Sequence, residues 1–139
     1  MHNILRQNWI NLKLTLNQTN KIVVITGGSK GIGKEVLSKF LSTGNKIYFT
    51  YRKKNNFVKK ILKDNVYKNK LIPINCDMMN IRDLIKLKKK LSKERKIDVL
   101  VNNVGDVIKR SNFLNSTDKL WIDNLKINLI SAVSLTRLL

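Results

Sequence analysis

A glycine-rich segment near the start of the chain carries the residues most suited to binding a phosphate. It reads TGGSKGIG at residues 26–33 and begins at the last residue of a strand-like, mostly apolar run at residues 22–26. Glycines let the backbone turn tightly and approach a pyrophosphate, and the start of a following helix adds free N–H groups and a partial positive charge. Between a strand pattern and a helix pattern, such a segment favours a dinucleotide site over a simple tight turn. The candidate phosphate-binding residues are Thr26, Gly27, Ser29, Lys30, Gly31, Ile32 and Gly33.

The segment belongs to a chain in which strand and helix patterns alternate. Strand-like apolar runs lie at residues 22–26, 46–51, 71–75 and 97–101. Helical patterns lie between them, at residues 55–64, 81–93 and from about 118 to the end, after a first helix that ends at Gly44. That first helix is expected to present Ile32, Val36, Phe40 and Leu41 on one side. Strands alternating with helices imply right-handed crossovers, so the predicted fold is an α/β doubly wound, Rossmann-type parallel sheet of four strands.

The pattern Thr-Gly-x-x-x-Gly-Ile-Gly resembles the cofactor loop of the short-chain dehydrogenase/reductase family. Later features follow in the order that this family shows. Asp77, with Met78 beside it, comes after the third strand, where the family uses an aspartate against the adenine amino group. The fourth strand ends in Asn102-Asn103-Val104-Gly105, which is similar to the family's Asn-Asn-Ala-Gly signature.

The last helix carries two more points of resemblance. Trp121 and Asn124 are similar to the start of the family's long helix, and Asn128 matches its catalytic-site asparagine. The resemblance covers about residues 21–139 and implies that a nicotinamide cofactor is bound by the glycine segment and by the later motifs. The later residues implied to bind it are Asp77, Met78, Asn103, Val104 and Gly105. Val104 replaces the usual alanine, and its extra methyl groups are expected to crowd the cofactor slightly.

The end of the second strand indicates which nicotinamide cofactor is bound. NAD sites of this kind place an acid there to hold the ribose 2′-hydroxyl. Residues 49–54 read FTYRKK and contain no acid. A guanidinium at Arg52 can pair with a 2′-phosphate, and Lys30 lies where the resembled family often has a second basic contact. The prediction is therefore NADP(H) in preference to NAD(H).

The remaining catalytic groups of the resembled family have no counterpart in this sequence. That family reduces a carbonyl with a serine, a tyrosine acid and a lysine four residues after the tyrosine. The tyrosines here are Tyr48, Tyr51 and Tyr67, and none of them has a lysine at that spacing. Three explanations stay open: a truncated or partial chain of a reductase, one part of a split enzyme, or a decayed, non-catalytic chain that binds a nucleotide or nothing. The chain alone is expected to be inactive.

The activity implied by the resemblance is NADPH-dependent reduction of a carbonyl to an alcohol. Asn128 is the one candidate catalytic residue that the chain contains. The glycine segment looks most like that of 3-oxoacyl-carrier-protein reductases and polyketide ketoreductases, so the expected substrate is a small-molecule or carrier-bound carbonyl compound. The resemblance also implies a homo-oligomer when the enzyme is complete, or a complementing chain.

The net charge of +19 raises nucleic acid as a partner. However, the chain has 22 Lys against 6 Arg, together with 18 Asn and a single alanine, as an AT-biased coding sequence would produce. The lysines are scattered, and aromatic residues make up only 6%. Nucleic-acid surfaces more often gather Arg and aromatic residues on one face. Compositional drift is therefore favoured over nucleic-acid binding.

Two segments are distinguished along the chain. Residues 1–20 form an N-terminal extension of unassigned role, with an alternation from Ile10 to Leu16 that suits a strand or an extended arm. Residues 21–139 form the partial NAD(P)-binding domain. No apolar run approaches the roughly 18 residues of a membrane span, a secretory signal is not expected from the first 20 residues, and no metal-ligand spacing is found in the sequence. The single Cys76 agrees with a cytoplasmic location.

Overall fold

The computed structural model describes residues 19–139 as a four-stranded parallel sheet with helices on both faces. The predicted extended arm at residues 10–16 lies outside the described residues. The strands are β1 (Ile22–Ile25), β2 (Lys46–Tyr51), β3 (Leu71–Asn75) and β4 (Val99–Val101). The helices are α1 (Gly31–Ser42), α2 (Asn56–Lys63), α3 (Ile81–Leu91), α4 (Asp118–Leu125) and α5 (Ser131–Leu138), and a π-helical turn, Lys126–Ile130, joins α4 to α5. The predicted doubly wound fold is confirmed.

The strand order is β3-β2-β1-β4, and every pair is parallel. β1 therefore lies inside the sheet, with Val24 opposite both Tyr48 of β2 and Leu100 of β4. The chain moves outward from β1 to β3 and then crosses back to place β4 on the other side of β1. Ligands of open parallel sheets bind beyond the carboxyl ends of the strands, at such a reversal of strand order.

Side chains of the inner strands alternate between two apolar layers. Val24 and Tyr48 pack with α3, the π-helical turn and α5 on one face of the sheet. Val23, Ile25 and Phe49 pack with α1 and α2 on the other face. Strands that are covered on both sides need apolar residues at consecutive positions, and this explains the uninterrupted run in β1.

Ile32 does not lie on the buried side of α1, so this part of the sequence prediction is wrong. Its side chain is 79% exposed, whereas Gly33 and Leu37 form the buried stripe. The reason lies at Gly33, where a missing side chain lets the first turn of α1 approach the backbone of Gly27. This close approach turns the preceding residue, Ile32, towards the cleft above the sheet.

β4 begins two residues later than the sequence pattern indicates. Asp98 precedes the strand and pairs with β1 through both its backbone and its side chain. Its N–H donates to the Ile22 carbonyl, and its carboxylate accepts the Ile22 N–H at 2.9 Å. Lys96, 2.7 Å away, and the Ile22 N–H hold the pKa of Asp98 below its usual value. A charged side chain thus aligns β4 with the central strand.

Local signals in the sequence explain four of the ten ends of helices α1 to α5. The side chains of Asn55, Asn80 and Thr117 cap the first turns of α2, α3 and α4. Gly44 ends the turn after α1 with φ of +78°, a backbone conformation that favours glycine. Among residues 19–139, no helix combines the length and the apolar character that a bilayer crossing requires.

Candidate cofactor site

A cleft of about 770 Å³ opens at the carboxyl ends of the four strands. The loops after β1, β2, β3 and β4 all contribute to its wall. Every cofactor residue expected from the sequence lines it except Thr26: Gly27, Ser29, Lys30, Gly31, Ile32, Gly33, Arg52, Asp77, Met78, Asn103, Val104 and Gly105. The cleft thus brings together motifs that are separated by up to 78 positions in the sequence.

The glycine loop is folded so tightly that side chains are excluded at defined points. Gly27 and Gly31 have φ of +69° and +53°, in the left-handed region. At Gly33 an added Cβ would lie 2.4 Å from the Gly27 carbonyl oxygen and 2.5 Å from Asn103 Nδ2. The start of α1 can therefore lie directly against the loop that precedes it.

The first turn of α1 presents its backbone to the cleft. Lys30 occupies the N-cap position, its side chain forms no capping hydrogen bond, and the first turn contains no acidic residue. An anion at this helix end would meet unpaired N–H groups and the positive end of the helix dipole. The loop geometry and these donors fit a pyrophosphate group.

Thr26 supports the cleft from below. It is 1% exposed, and its hydroxyl accepts hydrogen bonds from the N–H groups of Asn103 and Val104 at 2.9 and 3.0 Å. The Asn103 amide donates to the carbonyls of Thr26 and Gly27. These bonds join the loop after β1 to the loop after β4. We therefore assign Thr26 a role in positioning the loops, since it does not reach the cleft wall.

At the far end of the cleft lie Asp77, Met78 and Cys76. The Asp77 carboxylate accepts the Met79 N–H at 3.0 Å, and the Asp77 N–H donates to Asp83. Burial, followed by the nearby charges of Asp83 and Asp77, raises the pKa of the Cys76 thiol to about 12. Cys76 therefore contributes a neutral, apolar surface to this wall at physiological pH.

Arg52 extends from the end of β2 towards a residue that sequence reasoning missed. Its Nη2 lies 3.5 Å from Oδ2 of Asp106, which follows Gly105 after β4. Both side chains are about half exposed, and both residues line the cleft. The available signal was the position of Asp106 directly after a strand-end motif, because the carboxyl ends of parallel strands share one edge of the sheet.

Asn128 lies in the π-helical turn and holds the loop after β4. Its amide nitrogen donates to the carbonyls of Asp106 and Asn124 at 2.8 and 2.9 Å, and its oxygen accepts the Asp106 N–H. A Cβ at Gly105 would lie 2.8 Å from that oxygen, which explains the glycine there. The side chain of Asn128 thus acts on the cleft through the backbone of Asp106.

The π-helical turn and the start of the helical stretch are themselves stabilised by side chains. The hydroxyl of the buried Ser131 donates to the Ile127 carbonyl at 2.7 Å. This bond lies where the π-helical turn replaces the regular backbone hydrogen bonds of an α-helix. Asn124 accepts the Ile108 N–H at 3.2 Å. Trp121 packs edge-on against Phe113 and donates to Ser116, so it braces the connecting loop.

The tyrosines do not form a proton-donating pair with lysine at the cleft. Tyr48 lies near the start of β2, towards the opposite end of the sheet, where its hydroxyl donates to Glu94. Burial and the bond to Glu94 raise the pKa of Tyr48, which disfavours its ionised form. Tyr51 lines the cleft and Tyr67 packs against the apolar layer beside α2.

The fold and the cleft define a dinucleotide-binding protein of the doubly wound α/β class. Residues 21–139 match the short chain dehydrogenase family, and the chain belongs to that family. Members of the family are oxidoreductases that bind NAD or NADP. The family assignment inferred from the glycine loop is therefore confirmed.

Curated proteins of several organisms are similar to this chain. The chain is 31% identical over 118 residues to the peroxisomal hydratase-dehydrogenase-epimerase of Saccharomyces cerevisiae, covering 85% of this chain and 13% of that protein. It is 30% identical over 120 residues to the 3-oxoacyl-(acyl-carrier-protein) reductase of Buchnera aphidicola, covering 84% of this chain and 46% of that protein. The chain thus spans less than half the length of these relatives.

Solved structures share the fold. A Bacillus thuringiensis structure described as a 3-oxoacyl-reductase superposes with a TM-score of 0.77 at 27% identity, over 86% of this chain and 51% of that one. The L-sorbose reductase of Gluconobacter frateurii, solved with NADPH and L-sorbose, gives a TM-score of 0.75 at 22% identity, over 87% of this chain and 46% of that one. At that identity the second likeness concerns the fold alone.

Proposed function

We propose that this chain forms the cofactor-binding part of an NADPH-dependent reductase that converts a carbonyl to an alcohol. The observation that carries the proposal is the cleft, in which an open helix end, a tight glycine loop and the Arg52 guanidinium face one volume. NADPH, when bound, supplies the hydride. The residues of this chain bind and orient it, and the glycines of the loop leave the space for its phosphates free of side chains.

In this proposal the phosphates lie against residues 27–33 and the N–H groups of α1. The 2′-phosphate is bound by Arg52, assisted by Lys30, because a planar guanidinium makes two parallel hydrogen bonds to a phosphate. The adenine end lies near Asp77 and Met78. Asn103, Val104 and Gly105 border the middle of the cofactor, and Asn128 positions their loop.

The substrate that we propose is a 3-oxoacyl thioester or a related carbonyl compound. The likeness to the Buchnera reductase and to the Bacillus structure supports this class. We propose further that serine, tyrosine and lysine groups are contributed by chain beyond this sequence or by a complementing subunit, and that the enzyme works as a homo-oligomer in the cytoplasm. The free, buried thiol of Cys76 suits a reducing compartment.

The experiment is a pair of measurements on the 139-residue chain. NADPH fluorescence titration should give saturable binding, and NADPH oxidation with a 3-oxoacyl thioester should be absent until the complementing part is supplied. Binding without turnover in the completed enzyme would instead indicate the second candidate function, a non-catalytic nucleotide-binding module. The observation that favours this candidate is that Tyr48, Tyr51 and Tyr67 form no tyrosine–lysine pair at the cleft. Failure to bind either NADPH or NADH would overturn the proposed function.

A further inference from the structure

The Arg52–Asp106 ion pair crosses the mouth of the cleft. Arg52 follows β2 and Asp106 follows β4, and β1 lies between these two strands. The 3.5 Å contact between their side chains must therefore pass over the carboxyl end of β1, where the glycine loop begins. A dinucleotide that extends from Asp77 towards Asn103 has to pass this contact.

We infer that Asp106 is a specificity-determining residue that opposes Arg52 in the choice between NADPH and NADH. This inference rests on the proposed function. In the free protein, Asp106 occupies the guanidinium that a 2′-phosphate requires. With NADPH bound, the carboxylate remains close to a phosphate of like charge and repels it.

The same carboxylate changes the expectation for NADH. Sites for NAD use an acid near the end of the second strand to accept a hydrogen bond from the ribose 2′-hydroxyl. β2 and the residues after it lack such an acid, but Asp106 brings one to Arg52 from another loop. The ribose end of the cleft thus carries both the cationic group that suits NADP and the anionic group that suits NAD.

Asp106 is well held for this role. The Asn128 side chain binds both the N–H and the carbonyl of Asp106, and Oδ1 of Asp106 accepts the Val107 N–H at 2.9 Å. Oδ2 is the oxygen directed at Arg52. Asn at this position keeps an oxygen for the Val107 N–H and removes the charge, so Asp106→Asn tests the charge alone.

The size of the effect follows from exposure. An ion pair that is half exposed contributes little by itself, because water screens it. The larger part of the expected change in NADPH affinity comes from repulsion between the Asp106 carboxylate and a doubly charged phosphate a few ångströms away. We expect Asp106→Asn to tighten NADPH binding about 3- to 20-fold and to leave NADH within about 2-fold, or to weaken it.

The test is a fluorescence titration of NADPH and NADH with the full chain and four variants. Asp106→Asn is compared with Arg52→Gln, with the double variant, and with Asp118→Asn as a matched control. Asp118 lies in the first turn of α4 and does not line the cleft, so it reports the loss of one negative charge elsewhere. The gain in NADPH affinity should shrink only in part when Arg52 is also replaced, since the competition for its guanidinium is then gone while the repulsion between Asp106 and the phosphate is still relieved.

Each outcome decides the inference. A rise in the NADPH/NADH affinity ratio for Asp106→Asn, absent in Asp118→Asn, supports it. An unchanged ratio, or an equal change in the control, overturns it while leaving the proposed function standing. If the unmodified chain binds neither cofactor, both the proposed function and this inference fail.

Discussion

At the scale of single residues, Gly33 shows how closely the cleft is built. Its α-carbon faces the Gly27 carbonyl and the Asn103 amide, which both belong to the framework of the site. A methyl group there meets backbone, which cannot rotate away, and Asn103 is held by its own bonds to the loop. The position therefore requires glycine for space, although its φ is not in the left-handed region.

We expect Gly33→Val to abolish NADPH binding, because the side chain would push α1 away from the glycine loop and misplace its N–H groups. The measurement is NADPH fluorescence titration after circular dichroism has shown that the variant is folded. Gly44→Ala is the control. It strains a residue with φ of +78° in open space, so it should lower stability by about 1 kcal/mol and leave the affinity unchanged. Unchanged affinity in Gly33→Val would contradict the proposed phosphate site.

Arg52→Asp should weaken NADPH binding about 10- to 150-fold, since it removes a charge-assisted contact of about 1.5–3 kcal/mol. NADH binding should stay the same or improve. The matched control is Arg95→Asp, the same substitution in the exposed segment between α3 and β4. Titration of both cofactors checks the prediction. An equal loss for NADPH and NADH would show that Arg52 does not read the 2′-phosphate.

Single residues also show how much of the site could be predicted from the sequence. The glycine spacing and the resemblance at Asp77 and Asn103 were enough to predict most of the residues that meet at the cleft. These residues follow strands, and the carboxyl ends of parallel strands share one edge of the sheet. The Arg52–Asp106 contact could not be predicted, since it depends on how far two side chains extend over β1. The exposure of Ile32 was missed because helical periodicity does not reveal a close backbone approach one residue later.

At the scale of elements, a polar cluster braces the amino end of the sheet. Glu94, after α3, accepts from Lys46 at 2.6 Å and from the Tyr48 hydroxyl, both on β2. The hydrogen bond from Lys46 and, to a smaller extent, the one from Tyr48 hold the pKa of Glu94 below its usual value. The bond to Glu94 also raises the pKa of Lys46. The cluster connects the end of α3 to a strand on which α3 packs.

We expect Glu94→Gln to lower the free energy of unfolding by about 1 kcal/mol at pH 7, a value reduced by the partial exposure of Lys46. A carboxyl whose pKa is lower in the folded state stabilises the fold above its unfolded pKa. That contribution is lost as pH falls through the folded pKa. Urea unfolding at pH 7 and pH 3 measures this, and the difference between variant and parent should shrink at pH 3. A pH-independent difference would contradict the ionic origin.

Most elements were predicted within two residues, because the apolar runs and the caps at Asn55, Asn80 and Thr117 mark their ends. The π-helical turn, Lys126–Ile130, could not be predicted. It inserts one residue into an otherwise regular helix, and no local signal distinguishes this from an α-helix. The turn nevertheless matters, since it contains the asparagine that holds the loop after β4.

At the scale of the whole molecule, the outer edge of β4 and one face of the last helical stretch are without a partner among the described residues. β4 pairs with β1 on one side only, so its other edge presents unpaired backbone groups. The helical stretch after the cleft exposes Ile122, Leu125, Leu129 and Val133, at 44–52%. Leu138, near the end of the same stretch, is instead partly buried against the layer that contains Val24.

The exposed apolar residues recur three or four positions apart, so they share one side of the helical stretch. We expect the 139-residue chain to associate with itself through this face and the β4 edge, because a contiguous apolar surface of this kind is rare on monomers. Sedimentation velocity over a concentration series should show species larger than 16.1 kDa.

Leu125→Glu combined with Leu129→Glu should shift the distribution towards monomer. Leu62→Glu, at an equally exposed leucine on α2, should not, and an equal shift there would assign the effect to net charge, which is +19 in the parent chain. A chain that sediments as a single monomer at every concentration would show that these two surfaces do not drive association.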